Sequence, residues 1–206
     1  DGKRLAVTGR TSPKVPFRLA IVGAEGGELR WLAAAADPAK GTMNPRWSPD
    51  GRQIAFVTGA FTPDELDLSV VSADGGQVRQ VSTAKLADRL GFSGRFIVGY
   101  TWARDGEQLY FAEKLPLSEP GYGLYSIDLS GEVIRLPGVI EGESVLGVEW
   151  SADQSQIAYM AGTPTQVFVA NRDGSNPRRV TGSPDRQTFN PAWSPDGREI
   201  AFFDGV

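Results

Sequence analysis

The sequence predicts an all-β protein, a β-propeller of four-stranded antiparallel blades, with about four blades and part of another in its 206 residues. Three observations lead there. A tryptophan-centred motif recurs at the period of one blade, each copy is followed by the same apolar burst, and turn residues are abundant without a shortage of apolar ones. Gly numbers 25 and Pro 14 beside 40% hydrophobic residues. Disordered chains rich in Gly and Pro lack that apolar content, whereas short strands joined by tight turns require both.

The motif reads Arg46-Trp47-Ser48-Pro49-Asp50-Gly51, Thr101-Trp102-Ala103-Arg104-Asp105-Gly106, Glu149-Trp150-Ser151-Ala152-Asp153-Gln154 and Ala192-Trp193-Ser194-Pro195-Asp196-Gly197, and Asp1-Gly2 matches the tail of a fifth copy. With the Asp as register mark, the periods are 49, 55, 48 and 43 residues, the length of one propeller blade. The repeats are placed at 1–43, 44–98, 99–146, 147–189 and, incomplete, 190–206.

Within a repeat, the first strand ends at the Trp. Pro presets one corner position, Gly tolerates a left-handed one, and Asp between them accepts backbone N–H groups, so the motif is a turn between first and second strands. The second strands are Leu5-Ala6-Val7, Ile54-Ala55-Phe56-Val57, Leu109-Tyr110-Phe111-Ala112, Ile157-Ala158-Tyr159-Met160 and Ile200-Ala201-Phe202-Phe203. They do not alternate apolar with polar, which is the pattern of strands covered on both faces. Third strands follow at Leu19 to Val22, Leu68 to Val71, Leu124 to Ile127 and Val167 to Ala170, and each runs into a Gly-containing turn such as Asp74-Gly75 or Asp173-Gly174. Fourth strands read Leu29 to Leu32, Val78 to Val81, Val133 to Leu136 and Pro177 to Val180. Arg in every copy suits an outermost strand whose edge must repel further pairing. The count is seventeen strands, one second strand more than a closed ring would use. The chain therefore reads as a segment of a larger ring, and its start at Asp1 without Met as a processed or excised end.

The string Asn44-Pro45-Arg46-Trp47-Ser48-Pro49-Asp50-Gly51-Arg52-Gln53-Ile54-Ala55-Phe56, with its near copy at 190–202, resembles the Pro-Asp repeat of TolB-like β-propellers, a repeat also found in the propeller domains of prolyl-oligopeptidase-type enzymes. The resemblance covers essentially the whole chain. It implies a fold, and a periplasmic or otherwise extracytoplasmic location, without selecting one function. Two corners depart from the pattern, Ala103-Arg104 and Ala152-Asp153-Gln154, and are expected to be looser or differently hydrogen bonded.

Composition removes most catalytic classes. Cysteine and histidine are both absent, so there is no disulfide, no thiolate nucleophile, no imidazole base and no Cys- or His-ligated metal. No cofactor is expected. The formal charge of −4 offers no global basic field, so nucleic acid is not an expected partner, and no apolar run is long enough to span a membrane. Gly91-Phe92-Ser93-Gly94 misses the spacing of a nucleophile elbow, and Asn171 to Asn176 reads as a hairpin turn without the ligand spacing of a calcium loop.

Strand parity puts the short Asp-Gly turns at one end of each blade and the long connections at the other: Gly9 to Pro16, Ala33 to Asn44, Gly59 to Glu65, Ser82 to Gly99, Glu113 to Gly121 and Gly138 to Gly147. Variable loops on a rigid scaffold are where contacts are made, so a protein partner, itself membrane-associated or not, is expected on that face. The candidate contact residues are Lys85, Arg89, Phe92, Arg95 and Phe96, in a loop with a short helical stretch from Thr83 to Leu90, and Leu117 and Tyr122 in a Pro-stiffened segment. Arg46, Thr101 and Glu149, each just before a Trp on a first strand, are candidate channel-lining residues. The leading expectation is a non-catalytic interaction or scaffolding module. The alternative is the accessory propeller of a prolyl-oligopeptidase-type serine peptidase whose catalytic domain lies outside this chain, and a ligand-binding or carboxylate-dependent lyase ring acting through the channel is a third reading.

Overall fold

A computed structural model describes residues 2–33, 40–59, 67–81, 99–114, 121–140, 145–182 and 186–205. Every regular element among them is a strand. They run β1 (Arg4–Gly9), β2 (Arg18–Gly23), β3 (Gly26–Ala33), β4 (Gly41–Trp47), β5 (Gln53–Gly59), β6 (Asp67–Ser72), β7 (Arg79–Gln80), β8 (Tyr100–Trp102), β9 (Gln108–Lys114), β10 (Tyr122–Asp128), β11 (Val133–Ile140), β12 (Leu146–Trp150), β13 (Gln156–Ala161), β14 (Gln166–Asn171), β15 (Arg178–Arg179), β16 (Gln187–Trp193) and β17 (Ile200–Gly205). All pairs are antiparallel between consecutive strands, giving three four-stranded sheets, β4 to β7, β8 to β11 and β12 to β15, with a three-stranded sheet β1 to β3 and a hairpin β16–β17. These are the meander blades that the motif predicts. The expected helical stretch from Thr83 to Leu90 lies outside the described residues.

The chain divides into two compact units, Asp1–Arg95 with Leu129–Gly131, and Phe96–Asp128 with Glu132–Val206. In the first, Leu19 and Ile21 of β2 meet Ile54, Phe56 and Val71 of the next blade, with Trp47 and Leu32 against them. In the second, Leu124 and Tyr122 of β10 pack with Val148, Trp150, Ile157 and Tyr159. Tyr110 lies against Trp150 at 5.4 Å between ring centroids, and Tyr159 stacks on Phe168 at 5.6 Å. Burial of each such side chain contributes about 1.5–3 kcal/mol, which makes the seams between neighbouring sheets the main source of stability.

Polar devices fix those seams. Thr42 donates its N–H to the Phe17 carbonyl at 2.9 Å with its Oγ1 at 3.2 Å, and Thr188 does the same to the Thr165 carbonyl at 2.8 and 3.3 Å. Trp193 Nε1 donates to the Glu149 carbonyl at 3.3 Å. Arg30 on β3, expected only to guard an edge, donates to the Ala73 and Asp74 carbonyls in the turn of the next blade, at 2.6 and 3.3 Å. The guanidinium reaches from the strand edge to the turn and satisfies two of its carbonyls.

Fourth strands are also less uniform than expected. β3 and β11 are eight residues long, whereas β7 and β15 keep only two. Pro177 has no N–H for the ladder just before β15.

Candidate functional site

Each corner is a compact, hydrogen-bonded turn built from its own short stretch of chain. At the first, Ser48 Oγ donates to Asp50 Oδ1 at 2.7 Å, the Gln53 N–H donates back to Ser48 Oγ at 2.9 Å, and the Arg52 N–H reaches Asp50 Oδ1 at 3.0 Å. The Ser194–Asp196 corner repeats this, with 2.7 Å between Ser194 Oγ and Asp196 Oδ1. Ala103 removes the hydroxyl from the Asp105 corner, where the Glu107 N–H alone reaches the carboxylate, at 2.9 Å. That corner is differently bonded, as expected. The Asp153 corner is not looser. Ser151 donates to Asp153 at 2.6 Å, Ser155 adds both its N–H and its hydroxyl, and Gln154 takes the left-handed conformation (φ 60°) that Gly51 and Gly197 hold at 70°. The Ser151 hydroxyl, with the two Ser155 donors, holds the Asp153 carboxyl down to about 2. Asp50 and Asp196 are lowered for the same reason, a serine hydroxyl first and then a backbone N–H.

Between these corners the second unit has an open cleft of about 360 Å³, edged by Arg104, Ser151, Asp153, Gln156, Pro195 and Asp196. Its carboxylates are committed to their own turns. Among the described residues no three acidic side chains converge as a metal set.

Of the candidate contact residues, Lys85, Arg89, Phe92, Arg95, Phe96 and Leu117 lie outside the described residues. Tyr122 is not a loop residue. It opens β10 and is 9% exposed, packed into the core with Leu124 and Ala112, because a ring of that size on the third strand faces the neighbouring sheet. The connection from Arg10 to Phe17 is described. It is closed by a Val15 N–H to Ser12 carbonyl bond at 3.2 Å and by Arg10, whose guanidinium donates to the Pro13 carbonyl at 3.2 Å.

On the first strands, Arg46 is exposed, and Thr101 and Glu149 are half-buried. Three residues before the Trp, the ladder carries a bulge in β4, β12 and β16, and Asn44, Gly147 and Asn190 there are left-handed, with φ 51°, 58° and 51°. The bulge turns the strand just before the tryptophan. Its signal was the Asn-Pro pair at 44–45 and 190–191, since Asn tolerates that conformation better than any other side chain-bearing residue.

No protein-family model matches the chain. The uncharacterized peptidase YuxL of Bacillus subtilis is 25% identical over 177 residues, 86% of this chain and 23% of that protein. Among solved structures, the protein described as TolB from Agrobacterium tumefaciens superposes with a TM-score of 0.63 at 19% identity, over 91% of this chain and 62% of that one. An oligogalacturonate lyase of Vibrio parahaemolyticus gives 0.66 at 18% identity, over 99% and 56%. The chain thus spans under a quarter of the curated relative and less than two-thirds of either structure. Its fold is that of the TolB-like β-propellers.

Proposed function

We propose that this chain is the accessory propeller of a prolyl-oligopeptidase-type serine peptidase, with the catalytic domain outside these residues and the whole protein extracytoplasmic. One observation carries the reading. The sequence match to a peptidase runs over 86% of this chain but 23% of that longer protein. The lyase and TolB likenesses, below a fifth identical, speak for the fold alone.

The chemistry agrees. With no histidine in 206 residues, a Ser-His-Asp relay cannot be assembled from this chain, and its task is to screen and position substrate. Arg46, Thr101 and Glu149, each on the first strand of its own sheet, are then candidates for substrate contact.

A fluorophosphonate probe applied to the complete natural protein tests this. One labelled serine is expected, in a Gly-x-Ser-x-Gly segment outside these 206 residues. Absence of both label and segment overturns the peptidase reading, and cleavage of oligogalacturonate by the complete protein would replace it with the lyase.

A further inference from the structure

We infer that the mouth of the β1–β2 hairpin is a docking surface for a carboxylate-rich segment of a partner protein, with Arg10, Lys14 and Arg18 as its cations. From Gly2 to Ala24 the chain carries Lys3, Arg4, Arg10, Lys14 and Arg18 and no acidic residue, in a protein of net charge −4. The charge is gathered, not spread.

Gly9 and Arg18 are direct cross-strand partners, which brings Arg10, Phe17 and Arg18 together where the hairpin opens. Arg10 lies over the Phe17 ring at 4.7 Å and Arg18 over the Trp31 ring at 5.4 Å. Arg10, Lys14 and Arg18 are exposed, and none makes an ion pair with a described residue. The buried Asp67 on the neighbouring sheet is already paired with Lys40 at 3.5 Å. Each guanidinium rests over a ring, and apart from the one N–H that Arg10 gives to the Pro13 carbonyl its donors remain for a carboxylate.

The partner's class follows from what the patch lacks. Phe17 and Trp31 are both half-buried and each has a guanidinium over it, which leaves little ring surface for a nucleobase to stack on. Of the loop residues, only Val15, 38% exposed, offers a large apolar side chain to a bilayer.

The test is titration of the full chain with acetylated, amidated octaglutamate, read by calorimetry and by amide chemical shifts. Saturable binding that weakens as salt rises is expected, with shifts confined to residues 9–18 and Trp31. Arg10→Gln with Arg18→Gln should weaken it about fivefold or more, while Arg178→Gln with Arg179→Gln, on exposed β15, leaves it unchanged. If the Gln pair unfolds the protein, Arg10→Lys with Arg18→Lys, which keeps the charge and loses the planar fork, should give an intermediate affinity. Octaglutamate behaving like octaglutamine at about 50 mM salt, equal weakening by the β15 pair, or tighter binding of octathymidylate or of phosphatidylserine vesicles would each overturn the assignment.

Discussion

β5 and β17 have nearly the same sequence and opposite surroundings. Ile54-Ala55-Phe56 of β5 is fully buried, whereas in Ile200-Ala201-Phe202-Phe203 of β17 Phe202 is 40% and Phe203 69% exposed. The strand forms in both places, with the same hairpin to its first strand and the same serine-aspartate corner. What differs is the company. β5 has β6 on its second edge and the β1–β3 sheet against its face, whereas β17 pairs with β16 alone among the described residues. Local sequence thus specifies the hairpin, and the neighbouring sheet supplies most of what holds a blade in place.

The largest test of that contrast is energetic. Phe56→Ala should cost about 3–5 kcal/mol in urea unfolding, and Phe202→Ala about 1 kcal/mol or less, since its ring already keeps much of its contact with water. Equal losses would break the comparison. A second pair probes the seams. A methyl on Gly99 would sit 2.9 Å from the Val148 backbone N, which cannot move aside, so Gly99→Ala should destabilise by about 1–3 kcal/mol. The methyl of Gly205→Ala meets the edge of the 38% exposed Phe189 ring at 3.3 Å, a side chain with room to give, and should be tolerated, as a thermal melt of each variant would show.

A smaller effect should be shared by both regions. Thr42→Val and Thr188→Val remove the same hydroxyl contact to a carbonyl and should each lower stability by about 1 kcal/mol. A marked inequality would show that the clamp depends on the buried face beside it. The corners, also common to both, respond to pH. Because hydrogen bonds hold the Asp153 carboxyl at about 2, below its ordinary 3.8, its contribution is complete above pH 4 and is lost as pH falls toward 2. Carboxyl carbon shifts should show Ser151→Ala raising the Asp153 value, and Ser194→Ala raising that of Asp196, with little change in overall stability.

Much of this architecture was legible because its causes are local. The Trp-Ser-Pro-Asp-Gly corner announces a turn through Pro, Asp and a left-handed Gly, and runs such as Ile157-Ala158-Tyr159-Met160 announce a strand buried on both faces. The site was far less legible. Tyr122 lies in a polar-flanked, Pro-rich stretch, yet it is a core residue because the third strand begins at it. Arg30 reads as one more surface charge until the adjacent turn presents two carbonyls to it. Arg10 and Arg18 are eight positions apart in the chain and meet only because the hairpin register sets Gly9 opposite Arg18.

The sequence by itself determined the strands, their order, the corners and the absence of imidazole and thiol chemistry, because periodicity, turn conformations and side-chain inventory are properties of short stretches of chain. Which copy of a repeated strand is buried, which arginine clamps a neighbouring blade, and which cations of a basic stretch are brought together were decided only by the tertiary structure. Those properties belong to pairs of surfaces, and a residue carries no local mark of the sheet that will come to lie against it.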